Sequence, residues 1–230
     1  MDWPPVTVLL VTYNRPAEIR RTLTALQTHL RYPGLLTWHL ADDHSPDAYI
    51  PALLQDFPHL HFTVSDGARG GWGHNVNLAL RACPHDYIFL CEDDYVCRRD
   101  LDLGRGVALL GADETMGAVR YDGLAGHALD LLLREAQTPL GSISHLRVLK
   151  SSPHLNVYSN RPHLRHVRFH QLYGYYPEGK RLGTTEEMYA HIVKGTAGPD
   201  VVALDDGIAP AFDHIGVSWQ LSANDQELVP

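Results

Sequence analysis

The 230-residue chain is short of basic charge, of cysteine and of long apolar runs, and each shortage narrows what it can be. Lys and Arg number 19 against 27 Asp and Glu, a formal net charge of −8 with histidine neutral. Binding nucleic acid in general needs clustered cations for the phosphate backbone, so that class is excluded, and an anionic substrate has to be met by a local device. Cys83, Cys91 and Cys97 are an odd number, at spacings that match neither a disulfide framework nor a zinc pair, so a reducing compartment is the simpler reading. No run of 18 apolar residues exists, and the apolar stretch near the N-terminus is only Val6 to Val11 with no basic flank. The expectation is a soluble, cytoplasmic protein with no transmembrane segment. With 44% hydrophobic residues and no periodic glycine or proline, the chain is a globular one. Its folded surface should be roughly 10,000 Å², enough for one full-sized core.

Val6 to Thr12 is a continuous run of β-branched residues and leucine, the pattern of a strand buried on both faces of a parallel sheet. Pro16 then opens a helix whose apolar stripe is Ile19, Leu23, Leu26 and Leu30. Further strands are expected at Leu36 to Ala41, His61 to Ser65 and Asp86 to Cys91, with a helix over Asn75 to Ala82. That alternation predicts an α/β domain with a mainly parallel central sheet flanked by helices, and ligands then belong at the carboxyl ends of the strands. Beyond Asp100 the pattern predicts helices over Leu101 to Leu110 and His127 to Glu135. Strands are expected at Met116 to Tyr121, Ser142 to Lys150 and Val201 to Leu204, and a closing segment over Phe212 to Leu221. The stretch His154 to Tyr176, rich in His, Arg, Asn and Tyr, reads as long loops over a site, with His163, His166 and His170 in a polar acceptor or diphosphate loop. Thr184 or Thr185 is expected to cap a helix reaching Val193. No linker or repeat divides the chain, so it reads as one domain, with 224–230 a frayed tail.

Polar residues collect at three expected strand ends: Thr12 to Arg15, Asp42-Asp43, and Glu92-Asp93-Asp94. Three adjacent carboxylates repel one another unless a divalent cation such as Mg2+ or Mn2+, or a set of N–H donors, neutralises them; the alternative is a solvated acidic turn. Asp42-Asp43, followed by Ser45-Pro46-Asp47, could accept from a base or ribose hydroxyl, but taken alone it reads as ordinary turn chemistry. Gly70 to Asn75 places flexible backbone before a helix N-terminus, which suits phosphate or simple capping.

The ordered series Val8-Leu9-Leu10-Val11-Thr12-Tyr13-Asn14-Arg15, Asp42-Asp43-His44-Ser45-Pro46-Asp47, Gly73-His74-Asn75 and Phe89-Leu90-Cys91-Glu92-Asp93-Asp94 resembles the nucleotide-binding half of family 2 glycosyltransferases of the GT-A fold. The resemblance implies a single GT-A-like domain, with residues to about 100 binding a nucleotide-diphosphate sugar and about 101–223 binding an acceptor. Thr12, Tyr13, Asn14 and Arg15 would line the nucleoside pocket, Asp42 or Asp43 would hold the base, and Asp93 would meet the ribose. Gly73, His74 and Asn75 would approach the diphosphate, although His74 stands where the family often has arginine. Asp94, with Glu92 and the late His214, would hold Mn2+ or Mg2+. The general base would be Glu186 or Glu187, in the segment Gly183-Thr184-Thr185-Glu186-Glu187, with Glu186 favoured. The implied reaction is metal-dependent transfer of a sugar to a hydroxyl on a glycan, lipid or small molecule, with inversion; a retaining mechanism stays open if neither glutamate reaches the anomeric carbon. Two other classes compete: a sugar nucleotidyltransferase, and a non-catalytic nucleotide-sugar binding module.

Overall fold

The computed structural model of the chain describes all residues except 1, 59, 61, 67–68, 122–123, 125–128, 205–209 and 217–230. In chain order the N-terminal half holds β1 (Val6–Thr12), α1 (Pro16–His29), β2 (Leu30–Arg31), β3 (Leu36–Asp42), α2 (Tyr49–Asp56), β4 (Phe62–Asp66), α3 (Gly71–Ala82) and β5 (Tyr87–Glu92). There follow β6 (Tyr95–Cys97), β7 (Leu101–Asp102), α4 (Leu103–Ala112), β8 (Met116–Arg120), β9 (Leu131–Thr138), β10 (Gly141–Val148), β11 (His163–His166), α5 (Arg168–Tyr173), α6 (Leu182–Gly195), β12 (Asp200–Leu204) and β13 (Phe212–His214).

Nine strands form one sheet in the order β4-β3-β1-β5-β11-β8-β12-β10-β9. Only β11 and β10 run against the rest, so the sheet is mainly parallel. Every residue of β1 is buried, as its unbroken apolar run requires of a strand covered on both faces. Its side chains alternate between two cores. Val6, Val8 and Leu10 join Phe89 and Cys91 under α1, α2 and α4, where Ile19, Leu23, Leu26, Leu53 and Leu109 pack. Leu9 and Val11 join Ile88 and Leu90 on the other face, under Val76, Ala79 and Leu80 of α3, Phe169 and Tyr173 of α5, and Tyr189, Ala190 and Val193 of α6. The result is helix, sheet, helix in three layers, with the carboxyl ends of β1, β3 and β5 side by side.

Four sequence expectations need correction. Residues 131–135 of the expected helix over 127–135 belong instead to β9, which is hydrogen-bonded to β10 along its whole length. The segment 154–176 is not loop throughout: β11 lies inside the sheet between β5 and β8, and α5 follows it. Within β11 the side chain of Arg165 is fully buried, donating to the hydroxyls of Tyr176 (2.9 Å) and Tyr189 (3.4 Å), its guanidinium 4.9 Å over the ring of Phe169. Tyrosine hydroxyls and aromatic faces thus let a strand that reads as polar enter the core. Accordingly His163 (1% exposed) and His170 (7%) are core residues rather than parts of an open polar loop. Neither Thr184 nor Thr185 caps α6, which starts a turn earlier, after Arg181. Finally, α2 fills what reads as a plain connection after Asp47. The tail 224–230, and the part of the closing segment from 217, lie outside the described residues.

Candidate active site

Thr12, the last residue of β1, is buried and donates from Oγ1 to Asp93 Oδ2 (2.9 Å), while also bonding the hydroxyl of Tyr49. The backbone N–H of Asp93 donates to Val11 O (3.0 Å) and that of Asp43 to Thr12 O (3.1 Å), which ties the ends of β1, β3 and β5 into one platform. The chain turns sharply after the first two of these strands, with left-handed φ angles of 47° at Asn14 and 62° at His44. The two turns are joined by Asn14 N–H donating to Ser45 Oγ (2.8 Å), while Asp42 accepts from Ser45 N–H (2.8 Å). Asp43 Oδ1 accepts from the N–H groups of both Gly70 and Gly71 (3.0 and 3.1 Å), so its carboxylate holds the start of α3.

Next to this platform, Arg15 Nη1 donates to Asp94 Oδ2 (2.6 Å) and lies 3.4 Å from Asp93 Oδ1. Burial raises the Asp93 carboxyl to about 7, with Arg15 pulling the other way and Asp94 adding to the rise. Strand β13 pairs with β6 so that His214 faces Tyr95, one residue beyond Asp94, and His214 Nε2 comes within 3.2 Å of Asp94 Oδ2. Asp94 Oδ1 is buried and unpaired. Gly216 packs directly against this pair: a Cβ there would lie 2.2 Å from Asp94 Oδ2 and 3.0 Å from His214 Nε2, so only glycine allows the approach. Glu92 is the last residue of β5. By the alternation of β5 it belongs with Ile88 and Leu90, on the face of α3 and α6. Its carboxyl is pushed well above the usual range, by burial first and then by Asp94, Glu186 and Asp93. Among the described residues no group of three or more His, Cys, Asp or Glu side chains stands ready to hold a metal ion. The Asp94–His214 pair still suits one: a carboxylate with one oxygen unpaired and an imidazole nitrogen beside it match a hard divalent cation that takes its other ligands from phosphate and water.

Glu186 comes from α6. Because α6 begins at Leu182, Glu186 lies past the first turn, and its Oε1 accepts from Ser159 Oγ and from Asn160 N–H, both at 2.8 Å. Glu187 is exposed. Helix α3 packs closely on α6: a Cβ at Gly73 would lie 3.2 Å from Thr185 Cγ2 and 2.4 Å from Pro177 O, so only glycine allows this approach. His74 Nδ1 is 2.8 Å from Glu178 Oε2, and Asn77 Nδ2 donates to Glu178 Oε1 at the same distance. Those two hydrogen bonds, Asn77's first, hold the Glu178 carboxyl below its usual range. Asn75 is buried with neither amide atom paired.

The structure therefore brings Thr12, Tyr13, Arg15, Asp93, Asp94 and His214 into one cluster, with Asp42 and Asp43 beside it, and Glu92 has both Asp94 and Glu186 as charged neighbours. His74 is turned toward Glu178. Sequence reasoning missed Arg69, whose guanidinium stacks 4.8 Å over the ring of Tyr13. It also missed Ser159 and Asn160, Glu178, and Gly216. Arg69 follows the expected β4 and could have been found as a cation at a strand end; the others are defined only by tertiary contacts.

Residues 7–169 match the family model described as glycosyl transferase family 2. Over 98 residues the chain is 32% identical to the UDP-forming cellulose synthase catalytic subunit of Xanthomonas axonopodis pv. citri (strain 306), a match covering 42% of this chain and 13% of that protein. Among solved structures, S. aureus TarS 1-349 in complex with UDP-GlcNAc aligns with a TM-score of 0.65 at 16% identity, over 98% of this chain and 63% of that one. The mannosyltransferase PcManGT from Pyrobaculum calidifontis, in complex with GDP-Man and Mn2+, aligns with a TM-score of 0.64 at 17% identity, over 94% and 58%. The chain thus spans less than two thirds of each of these relatives, and at such identities the structural likeness is one of fold.

Proposed function

The chain belongs to glycosyl transferase family 2, and we propose on that footing that it transfers a sugar from a nucleotide-diphosphate donor to an acceptor hydroxyl, with inversion and with the help of a divalent cation. The observation that carries this reading is the gathering of carboxylates at the end of β5: burial raises the Glu92 carboxyl, and Asp94, Glu186 and Asp93 all lie close enough to push it up further. Thr12, Tyr13, Arg69, Asp42 and Asp43 frame the nucleoside, Asp93 takes the ribose hydroxyls, and Asn75 lies toward the diphosphate. Asp94 and His214 would hold Mn2+ or Mg2+, which supplies charge neutralisation of the diphosphate. Arg15, already on Asp94, adds a fixed positive charge on the same side. Glu186 accepts the proton of the acceptor hydroxyl as that oxygen bonds to the anomeric carbon and the bond to the departing nucleoside diphosphate breaks. The two hydrogen bonds on Oε1 fix the carboxylate's orientation for that transfer.

The acceptor is a hydroxyl compound. No described helix is long and apolar enough to cross a membrane. Incubation with manganese and a panel of UDP- and GDP-sugars should release free nucleoside diphosphate. Release of pyrophosphate from a sugar phosphate and a nucleoside triphosphate would replace the transferase reading with a nucleotidyltransferase, and tight donor binding with no turnover would make the protein a binding module.

A further inference from the structure

Asn75 and Asn160 are the side chains, among the described residues, in which both amide atoms are buried and unpaired. Asn75 belongs to the site already described. Asn160 is the more informative, since its main chain and its side chain do different things. Its N–H, with the hydroxyl of Ser159, holds Oε1 of Glu186, so residues 159 and 160 form a fixed cradle for that carboxylate. Its amide, in a residue only 3% exposed, offers a donor and an acceptor to nothing in the protein. The pairing of β11 with β5 sets His163 opposite Leu90, so the segment just before β11, which carries Asn160, runs on toward the carboxyl end of β5 and Asp93. A buried amide left unpaired destabilises a fold, and replacing it by an apolar group of similar shape is neutral or favourable; such groups persist where a ligand pairs them.

We infer that Asn160 is a specificity-determining residue that hydrogen-bonds a second hydroxyl of the acceptor, next to the one Glu186 deprotonates, and that the acceptor is therefore a vicinal diol such as a pyranoside rather than a lone alcohol. This rests on Glu186 as the base. The chemistry suits it: a sugar hydroxyl both donates and accepts, so one hydroxyl can satisfy either atom of the amide, and neighbouring oxygens of a pyranose are about one hydrogen-bond length apart. A lone alcohol leaves the amide unpaired in the complex and is selected against for that reason.

The test compares methyl glucoside, methyl galactoside and methyl mannoside with cyclohexanol, a ring of similar size bearing one hydroxyl. Nucleoside diphosphate release from UDP-glucose, UDP-GlcNAc and GDP-mannose is followed in the wild-type chain, Asn160→Leu and Asn160→Asp. The wild-type chain should prefer at least one hexoside to cyclohexanol, and Asn160→Leu should cut that preference roughly 10- to 100-fold. The leucine variant should melt at or above the wild-type temperature, and its KM for the donor should be unchanged. Asn160→Asp, which keeps an acceptor but loses the donor, must also lower the preference, and it decides the matter if the leucine variant misfolds. A wild-type preference in either folded variant overturns the inference. So does a raised donor KM with acceptor preference intact, which would put the amide on the donor, or a folded leucine variant of lower stability, which would give the amide an internal partner. Nucleoside diphosphate release by the wild-type chain with no preference among these alcohols overturns this inference alone, whereas no release from any donor overturns the transferase reading beneath it.

Discussion

Gly216→Ala should weaken divalent-cation binding at the site without replacing either ligand. The added methyl would lie 2.2 Å from Asp94 Oδ2, against 3.4 Å for an ordinary contact, so Asp94 or the segment carrying His214 must give by about 1.2 Å. Metal–ligand bonds tolerate only about 0.2 Å, so the shift is several times what coordination allows. Disturbing a neighbour that orients metal ligands typically lowers affinity 10- to 100-fold, and a direct clash should reach at least the upper figure. The φ of Gly216 is outside the left-handed region, so alanine brings no backbone strain of that kind. Overpacking costs typically 1–3 kcal/mol in a tight core, and less here because β13 is a three-residue strand at an edge. The assay is a manganese titration read in two ways: as free ion by electron paramagnetic resonance, and as nucleoside diphosphate release. A folded Gly216→Ala protein with wild-type manganese affinity would refute the placing of the cation between Asp94 and His214.

Glu186→Gln should leave donor affinity unchanged and lower turnover by roughly 100- to 10,000-fold; a wild-type rate would end its role as base. Asp43→Ala removes two charge-assisted hydrogen bonds and a favourable charge at the start of α3, a loss of roughly 2–4 kcal/mol, readable as a fall of about 5–12 °C in melting temperature. Asp43→Asn, which still accepts both N–H groups, should lose less than half of that. Burial lowers the pKa of His39, His145 and His166, and that of His170 to about 3. In each case the unfolded chain binds the proton first as pH falls through about 6.5, so stability should decline below that pH. His170 should contribute at most ~1.4 kcal/mol per pH unit, and His170→Gln should flatten the urea midpoint's decline between pH 6.5 and 5. A decline unchanged in that variant would remove His170 from the cause.

How much could be read in advance varied with how local the determining physics was. β1 and α1 were legible because one continuous apolar run and one stripe at helical spacing fixed their environments within a few residues. The three acidic or polar strand ends were legible for the same reason, since a ligand platform in this topology is a matter of strand order. β9 misled because Leu129, Leu132 and Leu133 imitate a helical stripe, whereas Leu131 and Leu133 are exposed on a strand held by hydrogen bonds to β10. β11 misled because the partners of Arg165, Tyr176 and Tyr189, lie 11 and 24 residues away, so nothing local shows that its charge can be buried. Glu186 stood out only by resemblance, and the cradle of Ser159 and Asn160 that gives it an orientation is 26 and 27 residues distant.

The position of β11 has a consequence for how the chain is made. Until His163 to His166 are synthesised, β5 has β1 on one side and an open hydrogen-bonding edge on the other. A nascent chain ending near residue 100 would carry Thr12, Asp42, Asp93 and Asp94 on an unfinished sheet, prone to pair with a neighbouring chain. The strand that closes this edge is preceded by Ser159 and Asn160 and followed by α5 and α6. Closure of β5 during biosynthesis therefore sets Ser159 and Asn160 in place before Glu186 arrives on them, and a ribosome-stalled series should gain protease resistance only after residue 166 has left the exit tunnel.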